Sequence, residues 1–393
     1  LRHGRWVGTV PRRNLALAGL VSVLVAAVSL GAGRMAILGL PTASAAATEA
    51  LGSPGALPPD PLAGVLDPDA APSAGAESGP VSSEPSEPSE PSERSAGAPS
   101  LAPGIPAAPP ATQPGPVPTD LLPPLAAARD SLPPIYRDGC HLDQPSTVSG
   151  ECVYGDAASD TTVVLFGDSH AASWFPTLER LATANRWRLV SLTKSACAVV
   201  DATVYNGSLG RAYTECDQWR VNALERIESE RPDLVVVTNA RTHVLALPEG
   251  RTPALARPDV WDAALERTLR RLKAIAGDVA LVADIPRADV DPPVCLSSSP
   301  DDRLACATPA AIALEPSRTA ADAAIADRLG LAFVDPTSWI CPSDPCPAVI
   351  GRFLVYRDEQ HLATPFATAL ARRMLDALSS QVALGPAPRP GTG

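Results

Sequence analysis

The sequence predicts an α/β fold with a mostly parallel central sheet and helices on both of its faces. Three observations carry that prediction. Short runs of nearly pure Val, Leu and Ile recur along the chain, separated by longer helix-like runs. The apolar runs lack the alternation of a sheet with one wet face, so both faces are buried. All of them lie after about residue 130, where an ordinary globular composition of roughly 250 residues replaces a Pro-rich one.

Val163-Val164-Leu165-Phe166 gives a first strand over 161–166, followed by a helix over 174–184. A second strand covers 188–193 and a helix 213–230. Pro232 precedes a third strand over 234–238. A helix over 260–275 leads to a fourth strand over 279–285. A helix over 309–329, a fifth strand over 331–335 and a closing helix over 363–378 complete the domain. In an open sheet of this kind the ligand sits at the carboxyl ends of the strands.

The first 130 residues read differently. Residues 15–33 are apolar or small and uncharged, about the length that spans a bilayer as a helix. Arg2, Arg5, Arg12 and Arg13 precede them, which puts the N-terminus in the cytosol and the rest outside. A signal peptide cleaved near Ala43-Ser44-Ala45 is the rival reading, and it too exports the domain. Leu1 rather than Met opens the chain, which reads as a fragment of a longer protein. Many of the 44 prolines fall between 41 and 130, with the repeat Glu84-Pro85-Ser86-Glu87-Pro88-Ser89-Glu90-Pro91-Ser92-Glu93 among them. Such a segment buries too little apolar surface to offset its ordering entropy and forms an extended spacer. The expected organisation is therefore a basic end and membrane helix over 1–40, a disordered linker over 41–130, a catalytic domain over 131–382 and a disordered tail over 383–393.

Net charge and cysteines narrow the class. A charge of −11 with no basic stripe excludes general nucleic-acid binding. The eight cysteines, an even count in an exported domain, read as disulfides. Sequential pairing of Cys140 with Cys152, Cys197 with Cys216, Cys295 with Cys306 and Cys341 with Cys346 would staple four local loops. No CxxC pair is present, and neither a metal nor a cofactor is expected.

Chemistry concentrates at two short motifs. Gly167-Asp168-Ser169-His170 closes the first strand and opens a helical run, so Ser169 stands on an exposed turn with backbone N–H groups aimed at whatever it attacks. A serine needs an adjacent base. His361 supplies one from a loop before the last helix, and Asp358, three residues earlier, can orient it as in a Ser-His-Asp triad. Either motif alone is a common turn or N-cap arrangement; together, on rim loops of one sheet, they point to a nucleophile, a base and its orienter. Asn239 ends the third strand and could donate to an oxyanion alongside Ser169. His170, Lys194 and Arg241 are rim candidates for substrate contact, and Asp168 for a local backbone bond. An α/β-hydrolase would want glycine where Ala171 stands. A metallophosphoesterase using Asp168 and His170 needs clusters that five histidines hardly supply. A stalked glycan-binding module is the non-catalytic alternative.

These motifs resemble the SGNH hydrolase family, and more narrowly the extracytoplasmic SGNH domain fused to membrane acyltransferases of acyltransferase family 3. The similar stretches include Cys152-Val153-Tyr154-Gly155-Asp156, Leu165-Phe166-Gly167-Asp168-Ser169-His170-Ala171, Lys194-Ser195-Ala196-Cys197 and Cys216-Asp217-Gln218-Trp219. Near the C-terminus they include Cys341-Pro342-Ser343-Asp344-Pro345-Cys346-Pro347 and Val355-Tyr356-Arg357-Asp358-Glu359-Gln360-His361-Leu362. The resemblance covers about 135–380. It implies a flavodoxin-like three-layer fold, with Ser169 as nucleophile, His361 as base and Asp358 as its partner. It also implies O-acetyl transfer to a cell-surface or cell-wall glycan through an acyl-serine. Carbohydrate acetylester hydrolysis is the close alternative. The partners implied are a glycan acceptor, an acetyl donor and a multi-helix membrane acyltransferase part. The implied address is the cell membrane, with a single span and the catalytic domain outside the cytoplasm. Two positions depart from the family pattern. The loop after the second strand, Thr193-Lys194-Ser195-Ala196, has no oxyanion-hole glycine, and Thr238 rather than Gly precedes Asn239.

Overall fold

A computed structural model describes residues 114–246, 254–255 and 257–384. The expected membrane helix at 15–33, most of the linker and most of the tail lie outside the described residues. Among the described residues no helix is long and apolar enough to cross a membrane.

The chain enters the central sheet through two short strands, β1 (His141–Leu142) and β2 (Val153–Gly155). The first long strand, β3 (Thr162–Gly167), runs into helix α1 (Ser169–Asn185) and then β4 (Arg188–Lys194). A small antiparallel sheet follows, formed by β5 (Val204–Asn206) and β6 (Arg211–Ala212) and completed after α2 (Thr214–Glu230) and β7 (Leu234–Thr238) by β8 (Val244–Leu245) and β9 (Ala254–Leu255). Helix α3 (Pro258–Ile275) leads to β10 (Asp278–Val282), and α4 (Pro292–Ser298), α5 (Ala310–Ala313) and α6 (Pro316–Leu329) lead to β11 (Ala332–Val334). The chain closes with α7 (Thr337–Ile340), the hairpin β12 (Val349–Ile350) and β13 (Phe353–Leu354), then α8 (Thr364–Ala369) and α9 (Ala371–Ser379).

The central sheet runs β1-β4-β3-β7-β10-β11, with β2 paired antiparallel to β4 at the same edge. Strands β4, β3, β7, β10 and β11 are all parallel. Counted along the chain, those five stand in the order 2-1-3-4-5, the flavodoxin-like doubly wound arrangement. Its switch point lies between β3 and β7, whose ends are level: Gly167 pairs with Thr238 on one side and Thr193 on the other.

Each strand feeds two cores. Val163 and Leu165 pack with Trp174, Phe175, Phe366 and Met374 on the face of α1, α8 and α9. Val164 and Phe166 pack with Trp219, Leu265, Leu269 and Leu329 on the face of α2, α3 and α6. Burying each such large apolar side chain contributes about 1.5–3 kcal/mol, which is why β3 carries no polar side chain between Val163 and Phe166.

Several boundaries differ from the sequence expectation. Helix α1 starts at Ser169 rather than 174, because Asp168 caps it by accepting from the His170 N–H at 2.8 Å. The helix expected over 309–329 divides into α5 and α6, with Pro316 opening the second. The closing helix divides at Leu370, whose φ of −77° and ψ of −2° interrupt the helical run. The domain also begins before 131. Leu121 and Ala128 are buried, Leu122 bridges to Phe353, and the Val117 N–H donates to the Pro300 carbonyl. The last stretch of the expected linker is thus part of the fold, anchored by leucines scattered among its prolines.

All four sequential disulfides are formed, Cys140–Cys152, Cys197–Cys216, Cys295–Cys306 and Cys341–Cys346. None spans more than 19 residues.

Candidate active site

The turn after β3 is built around a close approach. A side chain on Gly167 would overlap the Thr238 carbonyl oxygen and lie 2.6 Å from the Ala171 Cβ. Only glycine lets β3 run this tightly beside β7 and turn straight into α1. The following residue, Asp168, is fully buried and fixes the turn: Oδ1 caps α1, while Oδ2 accepts from the Ala240 N–H at 2.8 Å and lies 2.6 Å from His243 Nε2. Burial opposes ionisation of Asp168, but His243 and the Ala240 N–H outweigh it and bring its pKa to about 2. Asp168 therefore bonds well beyond its local backbone, tying the nucleophile turn to the loop after β7.

Ser169 occupies the first helical position and is half-buried. Its Oγ lies 2.9 Å from His361 Nε2. His361 Nδ1 lies 2.9 Å from both carboxylate oxygens of Asp358. Asp358 Oδ1 also accepts from the Gln360 and His361 N–H groups, at 3.0 and 2.9 Å. Burial disfavours the Asp358 carboxylate, yet the His361 bond and these N–H groups hold its pKa near 2. Burial lowers the pKa of His361, Asp358 opposes that, and His170 adds to the lowering. The net effect lowers the His361 pKa, and its far nitrogen faces the serine.

The loop carrying His361 is braced from behind. Arg357 is buried, 3.7 Å from Asp358, and its Nη2 donates to the Tyr136 hydroxyl. The Tyr136 ring packs against His141, whose two nitrogens meet Thr193 Oγ1 and Ser195 Oγ at 3.0 Å each.

The other rim candidates divide. Lys194 is buried, and its ammonium donates to the carbonyls of Asp143, Gln144 and Ser146 at 2.5–2.8 Å. It is a clamp on the 143–146 loop, spent on backbone carbonyls rather than held out for substrate. Asn239 accepts from the Val199 N–H through Oδ1 at 3.2 Å, and its amide nitrogen reaches the Ala240 carbonyl at 3.4 Å. Neither bond involves the triad. Arg241 is turned inward, 3.2 Å from Asp284 and bonded to the Ile285 carbonyl. His170 is buried too, its Nδ1 2.5 Å from Asp284 and its ring edge-on to His361 with centroids 5.3 Å apart.

Sequence reasoning missed Asp284 and His243. Asp284 sits just past β10, at the rim, and the expected strand over 279–285 absorbed it. An acid ending an otherwise apolar run was the available signal. His243 had none, because its partner Asp168 is 75 residues away. The missing glycine in the loop after β4 also has a structural counterpart: Ala196 takes a left-handed φ of 52°, the conformation glycine adopts most readily.

Fold and site together are those of an α/β enzyme of the acyltransferase or ester-hydrolase type. The chain belongs to the SGNH domain family: the family described as SGNH domain (fused to AT3 domains) matches residues 135–376. No curated protein matches the sequence. Among solved structures, one similar fold is the periplasmic domain of a lipopolysaccharide acetyltransferase from Salmonella Paratyphi A. It is 14% identical with a TM-score of 0.45, and the match covers 56% of this chain and 85% of that one. A putative acylhydrolase from Bacteroides fragilis is 16% identical at a TM-score of 0.35, covering 58% and 90%. An acetylxylan esterase from Geobacillus stearothermophilus, a catalytic mutant, is 13% identical at 0.35, covering 56% and 95%.

Proposed function

We propose that this domain is a serine-dependent O-acyltransferase that moves an acetyl group onto a hydroxyl of a cell-surface or cell-wall glycan. The observation that carries the reading is the unbroken relay Ser169–His361–Asp358, with a 2.9 Å bond on each side of the imidazole. His361 Nε2 takes the Ser169 proton as Oγ attacks the acyl carbonyl. The Ser169 N–H, at the start of α1, faces the developing oxyanion. The imidazolium, held by Asp358, then gives its proton to the departing oxygen or sulfur, leaving acyl-Ser169. A glycan hydroxyl next yields its proton to His361 and attacks the ester, restoring Ser169.

Membership of a family fused to AT3 domains favours transfer, with a multi-helix membrane part as the source of acyl groups. Four disulfides accord with a domain held outside the cytoplasm. Hydrolysis is the second reading, favoured by the half-buried position of Ser169, which water can reach. The full chain, incubated with p-nitrophenyl acetate and an oligosaccharide, separates the two. Acetylated sugar is the expected product, with a +42 Da (about one acetyl group) enzyme adduct on Ser169 as the trapped intermediate. Ser169→Ala must lose both; retention of acetyl transfer by that variant sinks the assignment.

A further inference from the structure

We propose that His170, held by Asp284, is a positioning residue for this site: it fixes a cation against the His361 ring and so sets how readily that ring releases its proton. The inference rests on the reading of His361 as the base.

The geometry is that of a second, buried His–Asp pair behind the first. His170 directly follows the nucleophile in α1, and its side chain and that of Asp284 are 5% and 6% exposed. Asp284 is saturated with donors. Oδ1 faces His170 Nδ1 at 2.5 Å and accepts from the Ile285 N–H at 2.8 Å. Oδ2 accepts from the Arg241 N–H at 2.8 Å and from Arg241 Nε at 3.2 Å. A carboxylate with so many donors stays ionised despite burial. A buried ionic cluster is an uncertain source of stability, whereas buried charge partners beside a reacting group are an established way of tuning it.

The charges around each ring give the sign. His170 is faced by Asp284 after β10, Arg241 after β7 and Asp168 at the head of α1. Burial disfavours its imidazolium, but Asp284 overrides burial and raises its pKa above the ordinary histidine value. Arg241 also contacts Asp284, at 3.2 Å, and its charge opposes the His170 imidazolium, while the His170 ring lies edge-on to His361. His361 is faced by Asp358 and Arg357 from its own loop, by His170 from α1 and by His141 from β1. Asp358 favours its protonation; a cation on His170 opposes it. That opposition keeps His361 a free base at lower pH than a lone His–Asp pair would allow.

The test uses the full chain with p-nitrophenyl acetate and follows kcat/KM against pH. In His170→Gln the cation is gone, so the acid limb should move up by about one pH unit. In Asp284→Asn the limb should move the same way by less, since the carboxylate charge is lost along with the imidazolium it supports. Histidine NMR on the unmutated protein gives an independent reading, in which His170 stays protonated on both nitrogens through neutral pH while His361 does not. An unmoved limb in folded His170→Gln overturns the inference, and so does a neutral His170 at pH 7. A merely structural role would lower the rate at all pH values and leave the limb in place. Ser169→Ala is run alongside: full activity there would defeat the reading of the site itself, whereas an inactive Ser169→Ala with an unmoved His170→Gln limb defeats only this inference.

Discussion

Gly167 and Thr238 are register partners in adjacent parallel strands, and their backbones approach so closely that no side chain fits at position 167. The nucleophile turn is therefore seated on β7. Gly167→Ala should lower stability by about 1–3 kcal/mol as the strands are forced apart. The same variant should lose most activity, because Ser169 rides on the displaced turn. Denaturant unfolding and ester hydrolysis, measured on the same samples, check both.

The relay predicts unequal losses. Ser169→Ala should reduce kcat by about 10⁴-fold or more, since it removes the hydroxyl that His361 contacts. Asp358→Asn should cost about 10³–10⁴-fold through loss of His361 orientation and charge support. The double variant should be hardly worse than Ser169→Ala alone. Additive losses in steady-state assays would mean that the two residues do not act as a unit.

Lys194 gives a contrasting case. Its three carbonyl bonds make it a fastener for the 143–146 loop. Lys194→Met should lower stability by about 2 kcal/mol, from orphaned carbonyls and lost charge-assisted bonds. KM for a small acetyl ester should stay as in the unmutated protein. A raised KM with unchanged thermal stability would return Lys194 to substrate contact.

Asp168 links stability to acidity. Its pKa in the fold is about 2, below the ordinary value of about 3.9. A depressed carboxylate contributes its stability fully above the unfolded value and loses it as pH falls through the folded one. That contribution, on the order of 2 kcal/mol, should be present above pH ~5 and fade between pH ~4 and ~2. Unfolding free energies across that window should fall less steeply in Asp168→Asn than in the unmutated protein.

The sequence is most transparent where interactions are local. Strand β7 falls at 234–238 as expected, because Leu234-Val235-Val236-Val237 admits no other reading between Pro232 and the rim. Asp358 and His361 are legible because they meet within one turn of chain, and the disulfides because each closes a short loop. Residues 114–130 were hidden by composition: buried Leu121 and Ala128, with the partly buried Leu122 and Leu125, decide their fate, and the prolines around them dominate any average. The Asp284 cluster and the Asp168–His243 bond were hidden by distance, since each joins loops that only the finished sheet brings together. Lys194 and Arg241 stand at rim positions as expected, but what they bond depends on loops whose paths the sequence leaves open.

The largest disulfide loop spans 19 residues, whereas Ser169 and His361 are 192 residues apart. Every crosslink is thus a local repair, and none ties the nucleophile to its base. Their meeting depends wholly on the packed sheet and the helices that cover it. Activity at this triad is consequently a readout of the entire fold: oxidised chains whose sheet has come apart would keep all four bridges and lose the activity outright.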